Sequence, residues 1–410
     1  MFHISLRLIV YYLVIFSSVS FFNPLGVISP EMSKLLFYIF FIFLSFLAIK
    51  RRHVKTDYPK LEICMIFFGL FTSMFVALIF HGQSLKDSAI AMIPNFFAYA
   101  FFPVLMQLQI PVEKILQSVK VFVISGMIVY IAKYVTFPNM IFGVLKDEYD
   151  MSRGIVRLGV PFLFFFVLLM FRYINQWVLI GKRKCFIWIF LTAAFILLNV
   201  TRQHIVFSSI FALLLVLQNA SMQKKIFTIG ACLIVVFVIL PQIPLVNAMV
   251  KLSNDQVYSN AHEDEDIRVK DYKYFIIEGQ SNRISPLFGN GLPRLGKTKW
   301  GIEEEKKHSR LNGGDGIYQA DVGWAGFFWY YGIVALLGLL FLLIKAIKKK
   351  KNKNEIYLNY WLLFILFISM ASGPLIYYDQ FLCISIVLYL IYAKRNFAFI
   401  RYNKTKSTVI

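Results

Sequence analysis

Long apolar runs, each closed by polar or basic residues, recur from one end of the chain to the other. Each run holds about 20 residues, the length that an α-helix needs to cross a hydrocarbon layer roughly 30 Å thick. The alternating short segments typical of a β-barrel are not visible. The pattern predicts an all-α polytopic membrane protein with about 12 transmembrane helices, near residues 4–22, 33–49, 61–80, 88–106, 115–136, 158–176, 185–200, 205–218, 226–243, 327–344, 357–376 and 381–393.

Within these runs, Pro94 is expected to kink or break the fourth helix and Pro103 to cap it. The first run, near residues 4–22, lacks the small-residue cleavage site of a signal peptide, so we interpret it as a retained anchor. The organisation that follows is residues 1–246 for helices one to nine, 247–326 for a long outer-face loop with short amphipathic helices, and 327–410 for helices ten to twelve and a cytoplasmic tail.

Lysine and arginine collect at alternate ends of the apolar runs. Counting twelve helices places every basic cluster on one side, and the positive-inside rule makes that side the cytoplasm. Both termini are therefore predicted to be cytoplasmic. The clusters are Lys50–Arg52, Lys182–Lys184, Lys224–Lys225, Lys348–Lys351 and Lys394–Arg395.

Composition supports this class. The chain of 410 residues is 59% hydrophobic and has 43 phenylalanines, which excludes an ordinary soluble domain. The net charge of +21 lies mainly on the cytoplasmic side, so we interpret it as membrane topology rather than as nucleic-acid binding. The four cysteines are spread through apolar segments without metal-ligand spacing, and we predict no metal site and no cofactor.

Arg202 is the most informative single residue. It lies in the short turn 201–204 between helices seven and eight, on the outer side. A guanidinium at the membrane boundary is costly unless it is paired or hydrated, so the residue is a functional candidate. An interfacial arginine held by lipid headgroups is the alternative. His204 in the same turn fits a polar boundary residue better than a general base, and it is a candidate for substrate contact.

Residues 267–277 have an amphipathic pattern that predicts a helix lying on the membrane surface. Arg268 would then face water or an anionic headgroup, together with Lys270 and Lys273. An ordinary solvated surface helix explains the same periodicity. The expected apolar face is Ile267, Tyr272, Tyr274, Phe275 and Ile277.

Two further features lie in the long loop. Residues Pro286–Gly291 read Pro-Leu-Phe-Gly-Asn-Gly, and Gly289 and Gly291 have the chemistry of a turn. Such glycines allow backbone amides to approach a phosphate, although most glycines of this kind simply make turns. Asp321 precedes the apolar run of helix ten. Its carboxylate either favours a helix N-terminus or acts as a general base near the bilayer.

The order of these features resembles the O-antigen polymerase and O-antigen ligase superfamily of membrane glycosyltransferases. Thr201-Arg202 matches a Ser-Arg-like turn of that family, Arg268 with Tyr272 fits a second motif loosely, and Pro286–Gly291 matches a third well. Asp321 stands where the family has the histidine of a His-Asn pair. The histidine form is typical of ligases, so this departure favours a polymerase and leaves the catalytic role of position 321 open. The motifs cover residues 185–345, and the rest of the chain is similar only in topology.

The resemblance implies a bacterial inner-membrane enzyme that polymerises undecaprenyl-pyrophosphate-linked oligosaccharides into O-antigen, capsule or exopolysaccharide. Arg202 and Arg268 would bind the pyrophosphate bidentately, and Asp321 would activate the acceptor hydroxyl. The implied partners are the lipid-linked donor and acceptor, the bilayer and a chain-length regulator, with no nucleic acid. The further substrate-binding candidates are Arg157, Tyr272, Arg283, Gly289, Gly291 and His204, with Arg153 beside them.

Three alternatives stay open at this stage. A ligase of the same family would transfer the finished glycan to another acceptor. A lipid-linked oligosaccharide flippase or other transporter would be expected to place charges in the middle of its helices, along a cavity, and these positions are almost bare. A purely structural protein gives no reason for arginines to face the outer leaflet.

Overall fold

A computed structural model describes residues 5–19, 28–51, 56–137, 141–142, 149–150, 155–156, 159–199, 201–234, 242, 267–308 and 316–407. Over these residues the chain is α-helical apart from short turns and one antiparallel ribbon, Tyr149–Asp150 (β1) with Ile155–Val156 (β2). The helices are α1 Leu6–Ser18, α2 Pro30–Ile49, α3 Lys60–His81, α4 Leu85–Leu108, α5 Val112–Thr136, α6 Leu163–Ile180, α7 Lys184–Leu198, α8 Arg202–Asn219, α9 Met222–Ile234, α10 Ile267–Lys273, α11 Ser285–Phe288, α12 Lys299–His308, α13 Gly323–Lys348, α14 Ile356–Ile368 and α15 Tyr378–Ser407.

The protein is a membrane-embedded α-helical protein by the length and apolarity of its helices. Within the described ranges, six helices are long and apolar enough to cross a bilayer, namely α2, α3, α4, α5, α6 and α13. Four shorter apolar helices accompany them: α1, α7, α8 and the apolar part of α15. Among the described residues the predicted count of about 12 spans is therefore not reached, and most of the second half of the predicted ninth helix, 226–243, lies outside them.

The reason for the lower count is helix length. A helix of 13 residues, such as α1 or α14, is only about 20 Å long, which is less than the hydrocarbon thickness. The predicted eleventh helix, 357–376, ends at Ile368, and residues 369–377 form turns before α15 begins. Gly373 precedes Pro374 there, and a residue before proline is disfavoured in the α conformation.

The fourth helix also differs from the prediction. It runs without interruption from Leu85 to Leu108, so Pro94 does not break it and Pro103 does not cap it. Membrane helices tolerate internal proline when neighbouring groups satisfy the freed carbonyls.

The described chain divides into two units. Unit 1 comprises residues 1–121, 271–350 and 369–410, and unit 2 comprises residues 122–270 and 351–368. Unit 1 therefore contains α1–α4, α11–α13 and α15, and unit 2 contains α6–α9 and α14.

The core of unit 1 is built on the antiparallel packing of α3 against α13. Small residues let the two backbones approach closely: a Cβ on Gly338 would lie 2.7 Å from the Cβ of Met65, and a Cβ on Gly69 would overlap Ala335. At one end of the pair the Lys345 ammonium donates to the buried carboxylate of Glu62. This helix pair is the frame on which the loop segments described below are packed.

The core of unit 2 surrounds α6, almost every residue of which from Leu163 to Phe171 is buried. The indole of Trp361 in α14 donates to the Phe164 carbonyl at 3.0 Å, and it is fully buried. Rings from α6, α8 and α14 meet around this bond, so α8 is held against an aromatic core.

The predicted amphipathic helix over 267–277 differs in its buried face. The α-helix ends at Lys273 and continues as a π-helical turn, Tyr274–Glu278, which holds one extra residue per turn. Asp271 and Phe275 are buried, whereas Ile276 and Ile277 are exposed. The prediction had placed Phe275 and Ile277 on one apolar face against the membrane surface, whereas the structure buries Phe275 and exposes Ile277.

Candidate functional site

The turn before α8 lies in unit 2 and carries Arg202. Asn199 at the end of α7 shapes this turn, because its amide nitrogen donates to the Thr201 hydroxyl at 2.7 Å and its oxygen accepts from the Val160 amide at 3.2 Å. Arg202 is the first residue of α8 and is half-buried. The first turn of α8 contains no acidic residue. A cation and a helix N-terminus, both of which favour a bound anion, therefore coincide.

His204 lies two residues further on but is buried, with 6% of its surface exposed. Its ring packs edge-on against Phe164 with centroids 5.3 Å apart, and Phe364 lies 6.4 Å away. The interpretation as a boundary residue in contact with substrate is therefore not supported. The first turn of the helix rotates position 204 toward the aromatic core, while Arg202 stays at the rim.

The other predicted arginines of unit 2 are Arg157 and Arg268. Arg268 is exposed in α10. Arg157 lies outside the described residues, as does Arg153. The remaining candidates, Tyr272, Arg283, Gly289, Gly291 and Asp321, belong to unit 1.

The Pro286–Gly291 motif is packed onto a break in α13. Gly332 has φ 75° and ψ 175°, a conformation open essentially to glycine alone, and it interrupts the helix. The carbonyls of Trp329 and Tyr330, just before the break, accept from the amides of Asn290 at 2.8 Å and Gly291 at 3.0 Å. The Gly289 amide donates to Ser285 at 2.7 Å.

All three amides of the Gly-Asn-Gly turn are therefore used within the protein. The hypothesis that Gly289 and Gly291 present amides to a phosphate is not supported by this geometry. What the glycines provide is close approach, because a Cβ on Gly289 would overlap the Tyr330 carbonyl, and a Cβ on Gly291 would lie 2.7 Å from the Ser73 carbonyl.

Asn290 is the residue of this motif that the sequence interpretation missed. It is fully buried, and its side-chain oxygen accepts from the Ser281 hydroxyl at 2.6 Å and lies 3.5 Å from Nε2 of His81. Its amide nitrogen donates to the Gly279 carbonyl at 3.3 Å. Asn290 thus joins α3, the end of the π-helical turn and the break in α13. The sequence signal that could have identified this residue is an asparagine between two glycines.

A second buried amide fixes the chain after the motif. Gln83, in the turn between α3 and α4, donates to the Leu292 carbonyl at 2.9 Å and accepts from the Arg294 amide at 2.9 Å and the Thr298 hydroxyl at 3.0 Å. The Arg294 side chain also pairs with Asp87. The loop is consequently anchored to the end of α3 at both Asn290 and Gln83.

Tyr272 and Arg283 are placed differently from one another. The Tyr272 hydroxyl donates to the Met370 carbonyl at 2.7 Å, so it ties the start of the loop to the segment after α14. Arg283 is exposed, just before α11, where the Asn282 side chain accepts from the amides of Ile284 and Ser285. Arg283 remains a candidate for contact with an anion, whereas Tyr272 is used in packing.

Asp321 closes a short 3₁₀ turn, Gln319–Asp321, directly before α13. It is half-buried, and its amide donates to the Tyr318 carbonyl at 3.0 Å. The segment 369–377 packs on the same helix end, because the Trp324 amide donates to the Ser369 carbonyl at 3.1 Å. The exposed Tyr377 of that segment interacts electrostatically with both Asp321 and Asp379. A second acid at the start of α15 thus accompanies Asp321, and only the fold reveals it.

An electrostatic cluster in the loop joins α12 to the π-helical turn. Lys307 Nζ donates to Glu304 at 2.7 Å and to the Tyr274 hydroxyl at 2.8 Å. Burial, together with the Glu304 carboxylate, raises the pKa of Tyr274. Burial alone would lower the pKa of Lys307, but the hydrogen bonds to Glu304 and Tyr274 outweigh it and raise that pKa. Both groups keep their protons at neutral pH, and the cluster holds α12 in place.

Metal ligands do not gather in the part of the chain that the structure describes: no group of three or more His, Cys, Asp or Glu side chains is close enough to hold an ion.

The fold defines a membrane-embedded all-α protein with a folded loop before α13. No protein-family model matches the chain, and no curated protein matches it significantly.

Proposed function

We propose that the protein is a polymerase-type membrane glycosyltransferase acting on undecaprenyl-pyrophosphate-linked oligosaccharide repeat units at the outer face of a bacterial inner membrane. An acceptor sugar hydroxyl attacks the anomeric carbon of the donor glycan. The bond from that carbon to the pyrophosphate oxygen breaks, and the lipid pyrophosphate leaves with the electron pair. Both termini in the cytoplasm are part of this proposal.

The observation that carries the proposal is Arg202 at the N-terminus of α8. The N-terminal end of a helix dipole favours a bound anion, and Arg202 adds a positive side chain at the same end. A bound pyrophosphate would interact with both, because a guanidinium grips phosphate oxygens bidentately and stays charged. Stabilising the leaving group in this way lowers the barrier for glycosyl transfer. The exposed Arg268 and Arg283 are further candidate donors.

Asp321 is the proposed acceptor-activating residue. It is half-buried at the start of α13, and the second carboxylate, Asp379, shares the neighbourhood of Tyr377. A half-buried carboxylate at the start of an apolar helix is readily tuned toward a general base. The proton of the acceptor hydroxyl would pass to Asp321 as the glycosidic bond forms.

The test is complementation of a deletion strain of the source bacterium. Arg202→Ala should abolish the ladder of polymerised surface glycan, and Arg202→Lys should restore only part of it, because a lysine keeps the charge but loses the bidentate geometry. Asp321→Asn should slow extension severely. Lys299→Ala, an exposed cation on α12, is the matched control and should leave the ladder unchanged.

Immunoblots of membranes confirm that each variant is present at the wild-type level. Normal ladders from Arg202→Ala would contradict the pyrophosphate role. The deletion strain itself separates the two reactions of the family: single capped repeat units identify a polymerase, whereas long chains retained on the lipid carrier identify a ligase.

A further inference from the structure

The depth of the Pro286–Gly291 motif can be measured along three helices of unit 1, namely α3, α4 and α13. Gly69, which packs against Tyr331 and Ala335, lies roughly 18 Å along α3 from its end at His81. Asn95, which donates to the Tyr331 hydroxyl at 2.7 Å, lies about 15 Å from the start of α4. Gly332 lies about 14 Å from the start of α13. Gly69, Asn95 and Gly332 therefore lie at about the same depth, near the middle of α3, α4 and α13.

The short helix α11 lies at this same level. A Cβ on Gly332 would overlap the Leu287 carbonyl and would lie 2.5 Å from the Gly289 amide. The ring of Phe288 is 6.1 Å from that of Phe68, a residue of α3 next to Gly69. The loop therefore descends from the end of α3 to the middle of the helix bundle and returns at Leu292, where Gln83 holds it.

The backbone amides of the motif meet the condition for such a position. Irregular backbone inside the hydrocarbon layer is tolerated only where its polar groups are bonded within the protein. The amides of Leu287 and Phe288 donate to Ile284, and those of Gly289, Asn290 and Gly291 donate to Ser285, Trp329 and Tyr330. Each amide from Leu287 to Gly291 thus has a protein acceptor.

The exposed side chains of residues 284–291 are apolar, whereas Arg283, directly before them, is exposed and charged. Ile284 is 47% exposed and Leu287 is 45% exposed. They continue the exposed aromatic stripe of the spanning helix α3, where Phe68, Phe71 and Phe75 are each about half exposed. An apolar surface that continues the lipid-facing side of a spanning helix is suited to contact with the acyl chains of the bilayer.

We infer that residues 284–291 form a re-entrant segment inside the membrane, with Ile284 and Leu287 facing lipid acyl chains. Part of the loop placed on the outer face by the sequence is then embedded in the bilayer. The inference requires only that α3, α4 and α13 span a membrane, and it does not depend on the glycosyltransferase proposal.

Two leucines of the same loop provide a matched pair for the test. Leu295 is 46% exposed, like Leu287, but follows Arg294, which is bound beside Gln83 beyond the end of α3. Leu287→Cys and Leu295→Cys are made in the full chain with the four native cysteines replaced by serine. Each variant is labelled in membrane vesicles with a charged, membrane-impermeant maleimide. Labelling at 287 should be slower than at 295 by about tenfold or more, because the reactive thiolate does not form in hydrocarbon.

A nitroxide label then identifies what covers position 287. In proteoliposomes, collisions with dissolved oxygen should exceed collisions with a water-soluble nickel chelate at 287, and the order should reverse at 295. Equal labelling rates, or a dominant nickel effect at 287, would overturn the inference. Low accessibility of 287 to both probes would also overturn it, because protein, such as a second copy of the chain, would then cover the segment.

Discussion

At the scale of single residues, the fit between Gly289 and α13 is the most exacting contact in the loop. Gly289 has φ 81°, and a Cβ there would overlap the Tyr330 backbone. Gly289→Ala should therefore destabilise unit 1 by more than the roughly 1–3 kcal/mol that an unfavourable backbone conformation costs. The effect is measured by heating the protein in detergent micelles and recording the temperature at which monodisperse protein is lost.

Gly181→Ala provides the control for that variant. Gly181 ends α6 with φ 71°, but a Cβ there would meet no atom within 4 Å. This substitution carries the backbone strain without the clash, so its melting temperature should fall less than that of Gly289→Ala. Equal decreases would show that the close approach to Tyr330 contributes nothing.

The residues also differ in how far the sequence predicted them. Helix boundaries near Arg202 and after Asp321 were expected because charges beside apolar runs are visible in a sequence, but α8 begins at Arg202 instead of after residue 204, and α13 begins at Gly323 instead of 327. The burial of His204 and Asn290 was not found, because burial depends on which rings and carbonyls other elements bring to the same place. The same holds for the interaction of Asp379 with Tyr377, the tyrosine that also interacts with Asp321.

At the scale of elements, the contact of α3 with α13 depends on small side chains. Gly338→Leu would place its side chain against Met65 and the Glu62 carbonyl, where a Cβ alone would come within 2.8 Å. Overpacking of this kind costs about 1–3 kcal/mol or more, because the helices must separate. We expect lower yield in membranes and a lower melting temperature in detergent.

Gly230→Leu is the matched glycine-to-leucine change, because nothing lies within 4 Å of a Cβ at Gly230 in α9. It should leave yield and melting temperature close to wild type. If Gly338→Leu behaved in the same way, the close packing of α3 on α13 would not be a source of stability.

Element boundaries were predicted well at helix starts that follow polar or basic residues. The starts of α3, α5 and α7 are of this kind, and the prediction placed them within a few positions. The end of α14 at Ile368 was predicted at residue 376, and the π-helical turn at Tyr274–Glu278 was not predicted. Their positions are decided by backbone hydrogen bonds, which a hydropathy pattern does not record.

At the scale of the whole molecule, the distribution of lysine and arginine predicts which face each loop occupies. Lys299 on α12 is expected outside, and Lys353, which follows the basic cluster 348–351, is expected in the cytoplasm; both are exposed. In a cysteine-free background, an impermeant thiol reagent added to intact cells should label Lys299→Cys. It should label Lys353→Cys only after the membrane is permeabilised. The opposite pattern would invert the predicted topology.

The sequence alone was sufficient for the class of protein and insufficient for the number of crossings. Apolar runs of the right length recur, but α1 and α14 fold as helices of 13 residues. Hydropathy counts apolar residues, whereas a crossing also requires that the helix continue unbroken. The two properties separate at Ile368, where α14 ends and turns follow.

The break in α13 at Gly332 also sets an order of events during synthesis. The carbonyls that accept the amides of Asn290 and Gly291 belong to Trp329 and Tyr330, 39 residues later in the chain. While the ribosome is still producing that stretch, the amides of Asn290 and Gly291 do not yet have these acceptors. The segment 284–291 can therefore be completed only after the helix that follows it has been inserted, so a chain truncated before Trp329 should leave the motif in the aqueous phase.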